Sequence, residues 1–158
     1  MKKSILIVVS MVLAVTLLVG CGSKAPALIT VTGKIANSTY DLTEATFTAN
    51  ATELQYHDPW VGDSGSDVME KGILLKDLIT LVKPAADATT VALICTDGKE
   101  YDVSMADAQN YNIMLVHWVA GTVLDTKTGG PVKVAYPTDA TSYTNDSWAW
   151  WVVKVEFK

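Results

Sequence analysis

The chain has 158 residues, 49% of them hydrophobic, with seventeen acidic residues against twelve basic ones and a formal charge of −5. Every one of those basic residues is a lysine, and there is no arginine. Such a chain is a poor partner for nucleic acid, which demands phosphate neutralisation, and for docking on anionic lipid headgroups.

Lys2 and Lys3 give a positive start, and residues 5–19 are apolar apart from Ser10 and Thr16, ending at Gly20-Cys21-Gly22-Ser23. That is the layout of a secretory signal with small residues at its cleavage point. The stretch resembles a bacterial lipoprotein signal, which implies lipidation of Cys21, export, and anchoring to the outer face of a membrane. An uncleaved transmembrane anchor is the alternative, since the run is nearly long enough to span. Either way the following domain faces outward. Removing the signal, residues 1–20, leaves 138 residues, enough for one domain with a real core, and ten lysines against seventeen acids. Residues 21–27 read as a lipidated tether and residues 28–158 as the domain.

Residues 28–35 alternate as a strand, with Thr30, Val31 and Thr32 favouring one. Residues 40–45 suggest a turn or short helix, and 47–56 have β character weakened by Asn50 and Ala51. Residues 57–67 read as a loop, with Pro59, Gly62 and Gly65 among Asp58, Asp63 and Ser64. Gly72 then precedes a helix over 73–82, with Leu74, Leu75, Leu78 and Leu81 on one face and Pro84 closing it. A hairpin follows, with strands at 91–96 and 101–104 about Asp97-Gly98. Residues 113–119 form a buried strand or a helix of similar length. Gly121 and Gly129-Gly130-Pro131 mark turns, and 132–136 and 151–157 alternate as strands. Six or seven strands with one good helix and two short ones make an α+β domain.

The residues offer no ready catalytic seat. His57 and His117 lack a second ligand at metal spacing, no CxxC or HExxH occurs, and no serine sits in G-x-S-x-G. No G-x-G-x-x-G opens a helix, and residues 63–67 lack the spacing and terminal glutamate of a calcium loop. With Cys21 lipidated, Cys95 is left alone in an apolar strand, where a buried inert thiol is expected. What stands out is aromatic residues beside polar loops. Tyr56, His57 and Trp60 bracket Pro59, Trp118 closes an apolar strand, and Trp148 and Trp150 precede the last one. Such rings stack on planar heterocycles, while a carboxylate such as Asp58 or Asp97 pairs with ring N–H groups. Trp151, in phase with Val153, Val155 and Phe157, is expected in the core.

The order of segments resembles the sulfite-oxidase-type molybdopterin-binding domain. Residues 28–35 are similar to its "x-I-x-V-x-G-x-V" strand, and Gly72-Ile73-Leu74-Leu75-Lys76-Asp77-Leu78-Ile79 to its "G-V-x-L-x-D-L-L" helix. Thr96-Asp97-Gly98 resembles its "x-D-G-Y" hairpin, and 114–124 its "L-L-A-x-x-x-N-G-x-x-L" stretch, with Ala120-Gly121 in place of Asn-Gly. Residues 129–137 follow "G-G-P-L-R-L-V-x-P" closely, and 150–157 resemble the closing "W-x-x-x-x-I-x-V". The resemblance implies that fold, mostly β with a few short helices. It also implies a molybdenum-holding cysteine before the helix, where this chain has Glu53-Leu54-Gln55-Tyr56-His57-Asp58, and a cofactor-binding arginine where it has Lys133. A soft metal without its thiolate loses its best protein ligand. Degenerate members of the fold imply a lipid-anchored domain that binds a free pterin, here one without a phosphate since no arginine remains, and that serves as a sensor for a membrane partner. Molybdopterin ranks below a free pterin, and no metal site is expected. Tyr56, His57, Asp58, Trp60, Asp97, Trp118, Trp148 and Trp150 are the candidate ligand contacts. The rival readings are a molybdopterin-dependent oxidoreductase with unusual metal ligation and a protein-interaction module with no ligand.

Overall fold

A computed structural model describes residues 24–158; the expected signal and the expected lipidation site at Cys21 lie outside the described residues. The described residues hold ten strands, arranged in two five-stranded sheets, with three short helices and one 3-10 turn. The first is ordered β2 (Tyr40–Thr43), β1 (Ala27–Gly33), β10 (Val152–Phe157), β5 (Thr90–Cys95) and β6 (Glu100–Ser104). Strands β1 and β10 run parallel, and every other pair is antiparallel. The second sheet is antiparallel, ordered β3 (Thr52–Asp58), β4 (Ser66–Leu74), β7 (Met114–Val119) and β8 (Thr122–Val123), with β9 (Lys133–Ala135) also paired to β7. Apolar side chains from both sheets meet in one core, including Val31, Leu42, Leu93 and Val155 from the first and Ile73, Leu115 and Val134 from the second.

The predicted hairpin at Asp97-Gly98 is present, with Gly98 at φ +82° and β5 paired to β6 as expected. Of residues 113–119, expected as strand or helix, Met114–Val119 form strand β7. Three expectations are corrected. Residues 40–45 split into strand β2 and the start of α1 (Glu44–Asn50), which Thr43 caps by accepting the Thr46 N–H at 3.3 Å. The helix expected over 73–82 is α2 (Leu75–Val82) only, because Ile73 and Leu74 belong to β4. Gly72 does not open the helix: it lets β4 meet β7, where a Cβ would lie 1.9 Å from the Leu115 carbonyl oxygen. The 57–67 loop shrinks to 59–65, since β3 and β4 extend into it and pair through His57 with Asp67 and Asp58 with Ser66. Helix α3 (Met105–Asn110) is capped by Ser104, whose hydroxyl accepts the Asp107 N–H.

The fourth correction concerns Trp151. A bulge between Val152 and Lys154 shifts the register of β10 against β5. Val152, Val155 and Phe157 face the core, while Trp151 stands before the bulge at φ +56° and is 41% exposed. Continuous alternation would bury it; one extra residue in the strand turns it out.

Candidate functional site

The segment leading into β10 is laced to both sheets. Val134 N–H donates to Ala149 O, Val152 N–H to Val132 O, Trp151 N–H to Gly129 O, and Thr96 N–H to Trp151 O, at 2.8 to 3.0 Å. Trp148, Trp150 and Trp151 are thereby placed between β9 and the β5–β6 hairpin, where a cleft of about 600 Å³ opens. Trp60, Trp148, Trp150 and Trp151 line it, with Lys99, Lys127 and Asp146 among the polar groups.

The Gly-Gly-Pro block has a steric cause here. Gly129, at φ +94°, lies flat against the Trp150 indole, and a Cβ there would stand 2.0 Å from its Cε3. A Cβ on Gly130 would meet the Leu124 carbonyl oxygen at 2.4 Å. Asp125 fixes the loop before them by accepting the N–H groups of Lys127 (2.8 Å) and Thr128 (3.0 Å). Those bonds, that of Lys127 first, lower its pKa. The Trp151 indole N–H donates to Thr126 O at 2.8 Å and ties the exposed ring to the same loop.

Behind the tryptophans lies a buried charge cluster. Lys133 is 1% exposed, and Asp58 and Glu70 are fully buried. The Lys133 ammonium contacts Asp58 Oδ2 and lies 2.5 Å from Glu70 Oε1. It also stands 5.2 Å from the Trp148 ring centroid and 4.8 Å from that of Trp150, both within cation–π range. Asp58 Oδ1 accepts the Trp60 backbone N–H at 2.8 Å. Neither Glu70 oxygen has hydrogen-bond geometry to a partner among the described residues. Burial pushes the Glu70 carboxyl up to about 7; Lys133 pulls it down and the neighbouring Asp58 pushes it further up. Asp58, Lys133 and Trp150 also line a second, mostly apolar cleft of about 260 Å³ with Val61, Val123 and Leu124.

The larger cleft therefore gathers Trp60, Trp148 and Trp150 from the sequence-derived candidates, with Asp58 directly behind them. The others lie elsewhere. Tyr56 is in the core, its hydroxyl donating to Asn112 O, and burial and the Glu70 charge raise its pKa. His57 is paired with Asp67 at 3.0 Å and borders a separate small cleft with Tyr136 and Tyr143. Asp97 is exposed and accepts the Lys99 N–H within its own hairpin. Trp118 packs edge-on to His117 and under the Lys71 ammonium, outside both clefts. His117 itself is buried, with Nδ1 2.6 Å from Pro131 O and Nε2 2.8 Å from Glu44 Oε2. Sequence reasoning did not include Trp151, Lys99, Lys127, Asp146 or Glu70 in the site. It noted Lys133 only as the substitute for an arginine.

A two-sheet α+β domain with an aromatic cleft between β9, the β5–β6 hairpin and the start of β10 defines the class. The oxidoreductase molybdopterin binding domain family matches residues 36–158, and the chain belongs to that family. Its fold is similar to that in the crystal structure of the sulfane dehydrogenase SoxCD from Paracoccus pantotrophus, with a TM-score of 0.67 at 11% identity. That match covers 83% of this chain and 38% of the SoxCD chain, so this chain spans well under half of that protein's length. No curated protein matches the chain.

The family implies molybdopterin, and the lining residues fit one part of it. Four indoles and two ammonium groups suit a planar heterocycle with polar substituents. The lining supplies no thiolate for the metal. Cys95, the free cysteine among the described residues, is buried on β5 outside the cleft lining. Burial raises the pKa of its thiol, as does Asp97, and a backbone hydrogen bond from Trp150 opposes them. A soft metal held by protein sulfur does not fit this donor set.

Proposed function

We propose that this chain is a lipid-anchored extracytoplasmic domain that binds a pterin-like planar ligand in the tryptophan-lined cleft, without redox catalysis, and reports its occupancy to a membrane partner. The observation that carries the binding role is the convergence of Trp60, Trp148, Trp150 and Trp151 on one opening of about 600 Å³. Indole faces bury a flat ring from both sides, and the polar rim sets its orientation. Asp146 and Asn145 on the cleft lining can accept from ring amino and N–H groups, and Lys99 and Lys127 offer donors to a carbonyl or an anionic substituent. The lipid anchor rests on the layout of residues 1–21, and the sensor role on the pairing of that anchor with a ligand-binding domain.

Titration of the purified domain with neopterin-like and molybdopterin-like probes tests the binding role. Tryptophan fluorescence is expected to be quenched saturably by at least one of them, and a flat response to every probe would sink the proposal. Mass spectrometry of chain recovered from membranes is expected to show a diacylglycerol-sized adduct on Cys21, absent in Cys21→Ser. Family membership favours a second reading, a molybdopterin-dependent oxidoreductase with unusual metal ligation. Elemental analysis after expression in a cofactor-producing host separates the two, since that reading requires bound molybdenum.

A further inference from the structure

Trp60, Trp148 and Trp150 of the cleft are connected through the Lys133–Asp58 ion pair. The Lys133 ammonium lies over the rings of Trp148 and Trp150, at 5.2 and 4.8 Å from their centroids. Its counter-ion Asp58 holds the Trp60 backbone N–H at 2.8 Å through the other carboxylate oxygen. Lys133 is itself 1% exposed and does not line the larger cleft, so a ligand there meets the indoles and not the ammonium.

Ordinary packing does not account for this arrangement. A lysine stem on β9 could leave its charge in solvent, as long basic side chains usually do. Here the charge is taken inside, between two buried carboxylates and under two indole faces, where a cation–π contact is strongest because water is excluded. An indole alone is free to rotate about two side-chain bonds. The ammonium adds to the packing that already holds the rings, Tyr136 against Trp148 and Gly129 against Trp150, by favouring the rotamer in which each keeps its face toward the charge. On the Trp60 side, the Asp58 carboxylate pins the backbone at the start of the 59–65 loop that carries the ring.

We propose that Lys133 is the positioning residue of the cleft: its buried ammonium, clamped by Asp58 and Glu70, sets the orientation of the Trp148 and Trp150 indoles and, through Asp58, of the Trp60 loop, without contacting the ligand. The affinity arm of this proposal rests on the ligand-binding reading above; the orientation arm does not. In the free protein the tryptophans are already in place, so ligand binding costs little ordering.

The test compares the wild type with Lys133→Met and with the triple variant Asp58→Asn/Glu70→Met/Lys133→Met, using unliganded protein first. Lys133→Met leaves two buried carboxylates without their cation and is expected to lose stability. The triple variant removes the charges together, a change that proteins commonly tolerate, and asparagine at 58 still accepts the Trp60 N–H. In the triple variant far-UV circular dichroism is expected to match the wild type, while the near-UV tryptophan bands lose intensity as the two rings gain freedom. Affinity for whichever pterin probe binds the wild type is expected to fall roughly ten-fold or more, on the scale of two lost cation–π contacts. A folded triple variant with wild-type near-UV bands and unchanged affinity would overturn the proposal. If no probe binds the wild type, the ligand reading fails, and the near-UV comparison still decides whether Lys133 orients the rings.

Discussion

Replacing Glu70 by glutamine isolates the proton equilibrium of the buried cluster. Desolvation, with the adjacent Asp58, holds the Glu70 carboxyl at about 7 in the folded chain against an ordinary value of 4.5, despite the opposing pull of Lys133. The folded-state value is raised, so the fold binds this proton more tightly than the unfolded chain does. The stability that results is complete below pH 4.5 and is lost as pH rises through about 7. A separation of that size corresponds to about 3 kcal/mol, at ~1.4 kcal/mol per tenfold change in proton affinity. Asp41, Asp87, Glu100 and Asp125 have lowered pKa values, so their contributions change in the opposite sense, lost as pH falls. The difference between wild type and Glu70→Gln cancels them. Urea unfolding at pH 5, 6, 7 and 8 is the assay. Glutamine imitates the protonated acid, so the variant is expected to be more stable than the wild type by only about 1 kcal/mol at pH 5 and by about 3 kcal/mol at pH 8. A difference that stays constant from pH 5 to pH 8 would refute the reasoning, because the cluster would then hold Glu70 in one protonation state throughout.

Three further substitutions have defined outcomes. Ala120 and Gly121 form the two-residue turn between β7 and β8, with φ +47° and +75°, a backbone that asparagine adopts more easily than alanine. Ala120→Asn is expected to raise stability by roughly 0.5–1 kcal/mol in the same urea assay. Gly129→Ala places a methyl 2.0 Å from Trp150 Cε3 at a positive φ; it is expected to cost more than about 1 kcal/mol and to shift the near-UV tryptophan bands. Trp60 is 56% exposed, so Trp60→Ala is expected to leave the thermal midpoint almost unchanged while weakening binding of any quenching probe.

The parts of the fold that were legible in the sequence are those whose signals are local. The Asp97-Gly98 hairpin, the strand at Thr90–Cys95 and the apolar face of α2 each announce themselves within ten residues. Strand β4 did not, because Glu70 and Lys71 interrupt its apolar residues and Gly72 imitates a helix boundary while serving a close strand crossing. Trp151 was placed in the core by an alternation that a bulge breaks, and a bulge is set by pairing across strands rather than by its own residues. The site divides in the same way. Trp60, Trp148 and Trp150 were visible as aromatic residues in polar surroundings. The cluster that orients them joins Lys133 to Asp58 across 75 positions, and no local pattern marks a lysine that will be buried. Tyr56 was misplaced for the converse reason: its neighbours are polar, but strand alternation turns its ring inward toward Asn112.

The energetics of the Lys133 cluster bear on why the cleft is built this way. A buried lysine with two buried carboxylates is an expensive core, since each ion gives up several kcal/mol of hydration and apolar side chains of similar volume commonly replace such groups without loss. The second carboxylate deepens that cost, because one ammonium cannot neutralise two carboxylates, and neither Glu70 oxygen has hydrogen-bond geometry to a partner among the described residues. Yet the contacts of the cluster do not run at random through the core. They run to two indole faces and to the backbone beneath a third tryptophan, all three lining one opening. An apolar trio at 58, 70 and 133 would fill the same space and leave the Trp148 and Trp150 rings held by packing alone, against Tyr136 and Gly129. Stability surrendered at residues whose contacts converge on a cleft is what a preorganised binding surface requires and what a packing core avoids. On the proposed ligand-binding reading, the buried charge serves the cleft as well as the fold.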